Sequence, residues 1–389
     1  GSRAAANLAQ ETLQTEEGRQ ARNYIDSRKL NDSSIEKFIL GYSPSSGDGL
    51  KSHLLLHDFK IEQAIEAGLV RQDEESGRTY DFFRGRLMFP IFDRRGNIAG
   101  FGARALDDSN PKYINTAATS IFDKRATLYA LNFAIDTIRN QRTAVVVEGY
   151  MDAIAAHEHG YTNVVASMGT ALTEQQVAQL RNLADKFILA LDPDTAGQEA
   201  TLRSLESSWR VIQSGAVQQR QRSQSALTQW KTIDLRIAAL PDGLDPDALI
   251  RQDASQWEEI VAGAAPLLEF LIPNIAGRFD LTVPHGKSQV VDVIWPLIVS
   301  QDRLDREPYA QKLADAIGVS IEAQRASIGN LQASKRQSRR TAQYQPPPEV
   351  TESALTETSR DPVEEYTLAL LLSKPVLKAN AVNLDAQCF

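Results

Sequence analysis

The chain has 389 residues and a net charge of −8, and at about 150 residues per domain this length predicts two or three domains. Its composition, 42% hydrophobic and 24% charged, is that of a globular protein and excludes a largely disordered chain. No apolar stretch approaches the roughly 20 residues that cross a bilayer, so we expect no membrane partner.

Cysteine content and charge distribution further restrict the class of protein to which the chain can belong. The single cysteine, Cys388, excludes an internal disulfide framework and a zinc site built from cysteines, so we expect no zinc in this fragment. The first residues lack the pattern of a signal peptide, which favours a cytoplasmic location. Residues 78–125 carry a net charge of +4. The remaining residues are strongly acidic, and this asymmetry predicts a basic surface that faces an acidic one.

Residues 1–140 are predicted to form a mixed α/β subdomain. A helical pattern runs from residue 15 to about residue 40 and ends at a break rich in Gly, Pro and Ser. Two apolar segments, residues 86–93 and 98–104, are separated by Arg94-Arg95-Gly96-Asn97 and predict a β-hairpin.

Residues 141–253 are predicted to form a subdomain with a parallel sheet. Short apolar strands alternate with helices, which favours parallel pairing and right-handed crossovers. Thr173 and Gln176 form a capping box for one of these helices. The predicted strands cover residues 144–147, 163–166, 186–191 and 232–240, and the predicted helices include 152–159 and 202–212. A further amphipathic helix is predicted just before the sheet from the spacing of Leu128, Leu131, Ile135 and Ile138.

The last third of the chain is predicted to contain three segments. Only helical patterns appear in residues 254–330, which predicts a helical bundle. Residues 331–362 are rich in Ser, Gln and Pro and are predicted to be a flexible linker. Residues 363–389 begin another helix but are too few to bury a core alone.

Acidic side chains follow three of the four predicted strands at the point where each strand ends. In an open parallel sheet, ligands bind outside the carboxyl ends of the strands. Crowded carboxylates repel each other unless a cation neutralises them, and hard oxygen ligands without nearby His or Cys favour Mg²⁺ or Mn²⁺ over zinc. The acids are Glu148 and Asp152 after the first strand, Asp192 and Asp194 after the third, and Asp245 and Asp247 after the fourth.

A purely structural role is the alternative for each acid taken singly. Asp152, Asp194 and Asp247 are also compatible with helix N-caps or turn residues, which is a common use of Asp. Six acids at three strand ends are harder to explain in this way. Glu148 argues most strongly for chemistry, because Glu is a poor cap and Gly149 leaves room beside it.

Cationic side chains are concentrated upstream of the predicted sheet. Residues 111–115, Pro-Lys-Tyr-Ile-Asn, combine a cation, an aromatic ring and an amide, which suits phosphate contact and base stacking. A solvated surface is the ordinary alternative for such residues. Beside a carboxylate edge they become candidates for binding polyphosphate or nucleic acid, and the candidates are Arg84, Arg86, Arg104, Lys112, Tyr113, Asn115 and Lys124.

These motifs resemble those of a known family. Glu148-Gly-Tyr-Met-Asp152 followed by Asp192-Pro-Asp194 resembles the Toprim signature of primases, topoisomerases and certain nucleases. Residues 86–93, 111–115 and 240–247 are similar to bacterial replicative primases of the DnaG type. The resemblance implies an α/β fold in which a Toprim-type parallel sheet is flanked by an N-terminal mixed α/β subdomain and a C-terminal helical bundle.

The resemblance also implies an activity and its site residues. It implies a DNA-directed RNA polymerase that makes short RNA primers on single-stranded DNA from ribonucleoside triphosphates, leaving an RNA–DNA hybrid, with two or more Mg²⁺ or Mn²⁺ ions. Residues 363–389 are similar to the start of a helicase-binding domain, so the replicative helicase at the nucleoid-associated fork is an implied partner. By the same resemblance, Glu148, Asp192 and Asp194 are catalytic metal ligands, Asp152, Asp245 and Asp247 form a further acidic cluster, and Arg104, Lys112 and Lys124 contact template or nucleotide.

Two other function classes stay open. A Toprim-type nuclease would use the same acids to cleave or nick DNA, but it leaves residues 111–115 unexplained. A non-catalytic scaffold for single strands and helicase leaves the strand-end acids unexplained. The sequence also departs from the family in having Pro193 between the two aspartates, where glycine is usual.

Overall fold

The computed structural model describes residues 1–169, 172–191, 233–301 and 304–324. The chain divides into two compact units, Gly1–Gly318 and Val319–Phe389, and the fold below is that of the first. The predicted helix over residues 202–212, the predicted linker over 331–362 and the segment 363–389 lie outside the described residues. Within the described ranges, no helix has the length and apolar character needed to span a membrane.

The chain begins with three helices: α1 (Ser2–Gln14), α2 (Arg19–Ser27) and α3 (Asp32–Phe38). The predicted continuous helical stretch from residue 15 to 40 is therefore wrong in its bounds. The division between α2 and α3 has a local cause, because Lys29 adopts a left-handed conformation with φ of 51°. The Asn31 side chain then caps α3 by accepting a hydrogen bond from the amide of Ser34 at 2.8 Å.

A four-stranded antiparallel sheet organises the N-terminal half. The elements after α3 are β1 (Gly41–Tyr42), α4 (Gly49–Leu56), α5 (Ile61–Glu66), β2 (Val70–Gln72), β3 (Thr79–Asp81), β4 (Arg86–Phe92), β5 (Ile98–Ala105), β6 (Tyr113–Asn115) and a 3-10 helix (Lys124–Ala126). The strand order in the sheet is β1-β4-β5-β6. The predicted hairpin is confirmed as β4 and β5, and Phe89 pairs with Gly102 in its register.

Both faces of β4 are buried. Leu87 and Phe89 belong to the apolar cluster shared with the second sheet, whereas Met88 and Phe92 pack into a cluster with α1 and α4. This explains why residues 86–93 form a nearly continuous apolar run instead of an alternating pattern. The hairpin is thereby fixed against the sheet that carries the candidate site.

Helix α6 (Leu131–Gln141) precedes the second sheet, as the apolar spacing predicts. Leu128 was expected on this helix but lies before it. The helix begins later because its N-cap, Ala130, has a left-handed conformation with φ of 63°. Leu128 is nevertheless buried, so its apolar character reflects packing rather than helix.

The second sheet contains β7 (Thr143–Val147), β8 (Val164–Ala166), β9 (Lys186–Leu191), β10 (Asp234–Ala239) and β11 (Ala265–Pro266). Their order is β11-β10-β9-β7-β8, and the pairs β7–β8, β7–β9 and β9–β10 are parallel, as predicted. The predicted all-helical character of residues 254–330 is wrong at β11, which pairs with β10 in antiparallel orientation. A two-residue edge strand leaves too short a pattern to recognise.

Helices surround this sheet. The capping box of Thr173 and Gln176 is confirmed, since the threonine hydroxyl accepts from the Gln176 amide at 3.2 Å. The helices are α7 (Tyr150–Glu158), α8 (Glu174–Arg181), α9 (Pro246–Gln252), α10 (Ala254–Ala262), α11 (Leu267–Ala276), α12 (Pro284–Val299) and α13 (Arg306–Ile317). The last three pack on one another as the predicted bundle.

A buried histidine near the end of α7 links α3 to the sheet. Nε2 of His157 donates to the carbonyl of Val164 at 2.8 Å, and Nδ1 lies 3.3 Å from Nζ of Lys37. Lysine can only donate, so the ring is neutral with its proton on Nε2. Burial lowers the pKa of His157 to about 4.

We expect His157 to reduce the stability of the fold in acid. The unfolded chain binds a proton near the ordinary value of 6.5 and the folded chain only near 4, so the free energy of unfolding falls as pH drops through this window, by about 3 kcal/mol in total. Denaturant unfolding should show the stability advantage of wild type over His157→Gln shrinking between pH 7 and pH 5. The exposed His159, changed to Gln, provides the control, and an unchanged advantage would contradict the assignment.

Candidate active site

A cavity of about 330 Å³ lies at the carboxyl edge of the second sheet. Three of the predicted acids line it, together with Tyr113 and Asn115 of the predicted phosphate- and base-binding segment, residues 111–115, which is called the basic loop below. The structure therefore brings together side chains that are far apart in the sequence. The lining residues are Tyr113, Asn115, Glu148, Gly149, Tyr150, Asp152, Met168, Gly169, Ala190, Asp245 and Pro246.

Glu148 and Asp152 are placed by the junction between β7 and α7. Glu148 follows the last strand residue, and Gly149 is the N-cap of the helix. The Gly149 amide donates to Oδ2 of Asp152 at 2.9 Å. A Cβ on Gly149 would lie 2.8 Å from that same oxygen, so glycine allows the carboxylate to approach the backbone.

The Asp152 carboxyl group is buried, with only 9% of the residue exposed. Its Oδ1 accepts from the amide of Asp247 at 3.2 Å. Burial is the main cause that raises the pKa of Asp152 to about 7, and the nearby negative charge of Asp245 adds to it. Without a cation, this carboxyl is expected to be largely protonated below neutral pH.

Asp245 and Asp247 occupy different environments. Asp245 is the N-cap of α9 and accepts from the Ala248 amide at 2.7 Å, while it also faces the cavity. Asp247 is fully buried outside the cavity wall. Its Oδ2 lies 2.5 Å from Arg28 and its Oδ1 lies 2.5 Å from Arg251. Both carboxylate oxygens of Asp247 are thus already bound by arginine.

The remaining predicted ligands, Asp192 and Asp194, lie outside the described residues, as does Pro193. In the part of the chain that the structure does describe, no group of three or more His, Cys, Asp or Glu is close enough to hold a metal ion. The metal-ligand set therefore stays a prediction.

Tyr150 joins the acidic edge to the basic loop. Its ring stacks on Phe89 with centroids 4.9 Å apart, and its hydroxyl donates to Oδ1 of Asn115. Tyr113 lies on the same side of the cavity, 6.2 Å from Tyr150 between ring centroids, and is 39% exposed. An exposed aromatic face beside carboxylates is suited to stacking a base.

Gly102 makes room for Tyr150, and this gives a direct test. A Cβ at this position would overlap the tip of the Tyr150 ring. We expect Gly102→Ala to lower the free energy of unfolding by about 1–3 kcal/mol, the usual range for overpacking, and to displace the Asn115 contact. Chemical denaturation should be compared with Gly47→Ala, where an added Cβ meets nothing within 4 Å. Equal stability of the two variants would contradict the packing argument.

The predicted basic residues do not form one cluster. The Arg86 guanidinium donates to the carbonyl of Pro111 at 2.9 Å and so holds the loop that precedes β6. Arg104 lies over the ring of Tyr24, at 4.0 Å, and within 5.7 Å of the Tyr113 centroid. Of these two arginines, Arg104 contacts a residue that lines the cavity, Tyr113.

Three other basic residues have different surroundings. Lys112 is exposed and directly precedes Tyr113 in the sequence. Lys124 is half-buried in the 3-10 helix, and burial lowers its pKa. Arg84 lines a separate polar cavity of about 520 Å³ together with Lys51 and Arg78.

Two groups of residues were missed at the sequence level. Met168 and Gly169 follow β8 and line the cavity, and the Gly169 amide donates to the carbonyl of Glu148 at 3.0 Å. Applying the strand-end rule to β8, which carries no acid, would have found them. No sequence signal indicated the arginines that bind Asp247.

The donor atoms of the cavity wall are of the type that a hard divalent cation prefers, although the described acids are not gathered closely enough to hold an ion by themselves. Glu148, Asp152 and Asp245 offer carboxylate oxygens, and no His or Cys belongs to the described lining. Burial, and to a lesser extent the charge of Asp245, raises the pKa of Asp152 and so opposes ionisation of its carboxyl group. A bound cation would favour the ionised carboxylate.

Two family models match the chain. The model for the N-terminal domain of the DNA primase catalytic core matches residues 8–135, and the Toprim model matches residues 142–220. The DNA primase of Clostridium acetobutylicum is 34% identical over 304 residues, which are 78% of this chain and 47% of that protein. The chain spans about half the length of the curated relatives it matches.

Solved structures agree with these matches. A DNA primase domain from Pseudomonas aeruginosa has 32% identity and a TM-score of 0.69, with 82% of this chain and 96% of that chain covered. A DnaG primase catalytic domain bound to single-stranded DNA has 30% identity and a TM-score of 0.67, with 83% and 97% covered.

Fold and site together define a Toprim-type α/β protein with carboxylates gathered at the edge of its parallel sheet. The chain is also similar to the N-terminal domain of the primase catalytic core and to the Toprim domain that follows it. The chain belongs to the DnaG primase family and corresponds to its catalytic core.

Proposed function

We propose that this chain is the RNA-synthesising core of a DNA primase, a nucleotidyltransferase that copies single-stranded DNA into short RNA primers. The observation that carries the proposal is the cavity, where Glu148 and Asp152 lie opposite Tyr113 and Asn115 of the basic segment. Carboxylates for metal binding and an aromatic-cationic surface for a nucleotide thus meet at one place. The relative solved with single-stranded DNA supports the same template class.

In this proposal, Mg²⁺ or Mn²⁺ ions are held by Glu148, Asp192 and Asp194, with Asp152 and Asp245 beside them. Two such ions, when bound, activate the 3′-hydroxyl of the primer and neutralise charge at the triphosphate and the leaving pyrophosphate. The part of the chain that the structure describes orients two of these acids. The Gly149 amide orients Asp152, and the first turn of α9 orients Asp245.

The nucleotide is proposed to bind against the basic loop. Tyr113 offers an exposed ring for stacking, and Lys112 next to it supplies a positive charge for phosphate. Tyr150 fixes Asn115 by a hydrogen bond and so sets the distance between this loop and the acids. The ribonucleoside triphosphates, the RNA–DNA hybrid product and a helicase contact through residues 363–389 belong to the same proposal.

One assay separates the three function classes. The protein is incubated with single-stranded template, ribonucleotides and Mg²⁺ or Mn²⁺, and RNA products are resolved by length. A supercoiled plasmid under the same conditions detects nicking. Template-dependent RNA supports the primase function, and nicked plasmid without RNA supports a Toprim nuclease. If neither product forms, the non-catalytic scaffold is the remaining function class.

Lys112 provides a test of the basic loop. If it contacts a template phosphate, Lys112→Ala should weaken single-strand binding and lower the slope of log affinity against log salt by about 0.7. Fluorescence anisotropy at several salt concentrations measures both quantities. Arg139→Ala on the exposed face of α6 is the charge-matched control. An identical slope for Lys112→Ala and wild type would remove Lys112 from the template path.

A further inference from the structure

A buried ionic network lies behind the cavity and consists of Arg28, Asp247, Arg251 and Glu158. Arg28 and Arg251 each approach one oxygen of Asp247 to 2.5 Å, and Arg251 also lies 3.4 Å from Glu158. The side chains of Asp247 and Glu158 are only 1% and 6% exposed. Two positive charges balance two negative charges within this network.

The network links helices of the N-terminal half to helices beside the second sheet. Arg28 immediately follows α2 in the N-terminal half, whereas Asp247 and Arg251 belong to α9 beside the candidate site. Glu158 ends α7 and accepts a hydrogen bond from the amide of Asn31, the N-cap of α3, at 2.7 Å. Helices from the N-terminal subdomain are thus fixed to the two helices that begin at the acidic edge.

One step joins the network to the cavity. The amide of Asp247 donates to Oδ1 of Asp152, while the other oxygen of Asp152 accepts from Gly149. The position of the first turn of α9 therefore determines the orientation of the Asp152 carboxylate. That turn is in turn held by Arg28 and Arg251.

A second arm reaches the opposite wall of the cavity. Tyr24 lies between two guanidinium groups, 5.4 Å from Arg28 and 4.0 Å from Arg104. Arg104 extends to within 5.7 Å of Tyr113. A continuous set of contacts thus runs from Tyr113 through Arg28 to Asp152, around the cavity.

We propose that this network is a positioning device for the active site: Arg28 and Arg251 hold Asp247, and Asp247 orients Asp152 instead of binding metal. The inference rests on the proposed primase function. A cation at Asp247 would have to displace an arginine from a buried carboxylate whose two oxygens are both engaged. Groups that orient metal ligands in this way commonly change activity about 10- to 100-fold when they are removed.

The test compares Arg28→Met with wild type in the full chain. We expect kcat for primer synthesis to fall about 10- to 100-fold. KM for nucleotides and the single-strand affinity should stay unchanged, whereas the metal concentration for half-maximal activity should rise together with the loss of kcat, because Asp152 lies beside the proposed ions. Arg28→Lys, which restores the charge, should recover most of kcat. Asp247→Asn should act in the same direction, and the Arg28→Met/Asp247→Asn double variant should be no worse than the more damaged single variant.

A matched control separates positioning from general loss of stability. The Arg142 guanidinium donates two hydrogen bonds to the Asp185 carboxylate, at 2.6 Å and 3.0 Å. Arg142 directly precedes β7 and Asp185 directly precedes β9, so the pair lies at the amino ends of these strands, away from the cavity. Arg142→Gln should lower the melting temperature but leave kcat at the wild-type value. Hydrogen exchange then gives a readout independent of activity: the amides of Gly149 and Asp247 should lose protection in Arg28→Met and keep it in Arg142→Gln.

Each other outcome overturns a stated part. A higher metal requirement in Asp247→Asn, with Arg28→Met fully active, would make Asp247 a ligand. Weaker single-strand binding in Arg28→Met would make Arg28 a substrate contact. The positioning device would also be rejected if the wild type is active and the amides of Gly149 and Asp247 keep their protection from exchange in Arg28→Met. If wild type makes no RNA, the proposed function fails, and the exchange data alone then decide whether the network orients Asp152.

Discussion

Glu148→Gln is expected to reduce primer synthesis by several orders of magnitude while the protein stays folded. The substitution keeps the shape of the side chain but removes one charge and one hard ligand at the junction of β7 and α7. In the proposed mechanism, metal ions bound at this edge would activate the nucleophile and stabilise charge, so loss of the Glu148 ligand would affect both. Primer yield on a defined single-stranded template measures the effect.

Two further measurements on Glu148→Gln identify the cause. The melting temperature without metal should stay level or rise slightly, because fewer negative charges repel each other near Asp152. Single-strand affinity should change little, since the template is assigned to the basic loop. Glu62→Gln on the exposed face of α5 is the matched control. Near wild-type primer yield from Glu148→Gln would remove this residue from the mechanism, and a variant that fails to fold would indicate a structural role.

Local sequence signals predicted much of the fold. The strand over residues 186–191 has the predicted bounds, and the hairpin of β4 and β5 matches in position and turn. These elements depend on short-range patterns of apolar residues and turn residues, which a single sequence contains. The placement of Glu148 and Asp245 at one edge also follows, because the ends of parallel strands must meet there. Their roles in catalysis stay predictions.

Long-range pairings could not be predicted in this way. Arg28 and Asp247 are 219 residues apart, and nothing in either segment indicates the other. Asp245 rather than Asp247 proves to be the helix cap, which depends on where α9 begins. The Arg104 guanidinium lies over Tyr24, a contact between elements that only the tertiary fold brings together, and its predicted contact with template or nucleotide stays a prediction.

The same limit applies to the basic residues. Five of the nine cations of residues 78–125 were predicted to bind template or nucleotide, and one of the five, Arg86, donates to the carbonyl of Pro111. Positive charge counted along the sequence does not distinguish a guanidinium that binds backbone from one that binds phosphate. Lys112 is exposed and makes none of the contacts described for Arg86 and Arg104, and its predicted contact with a ligand stays a prediction.

Asp152 is expected to make the metal-free protein less stable as pH rises from about 4 to 7. Its carboxyl has a folded pKa of about 7, against an ordinary value of 3.8, because it is buried near Asp245. The folded chain therefore keeps a proton that the unfolded chain releases, and the free energy of unfolding falls with rising pH, by about 4 kcal/mol over the whole window. His157 acts in the opposite direction between pH 4 and 6.5, so variants are needed to separate the two groups.

Asp152→Asn removes this titration and isolates it. In the presence of a chelator, the stability of the variant relative to wild type should increase between pH 5 and pH 8, as measured by denaturant unfolding. Asparagine can accept only one of the two backbone hydrogen bonds, so its absolute stability carries a constant cost, and the pH dependence is the relevant quantity. Added Mn²⁺ at pH 8 should stabilise wild type more than the variant, whose primer synthesis should be strongly reduced. Asp136→Asn on the exposed surface of α6 is the control, and its stability relative to wild type should not depend on pH in this way. If the stability difference between Asp152→Asn and wild type is also independent of pH, Asp152 is not a buried carboxyl group with a raised pKa at this edge.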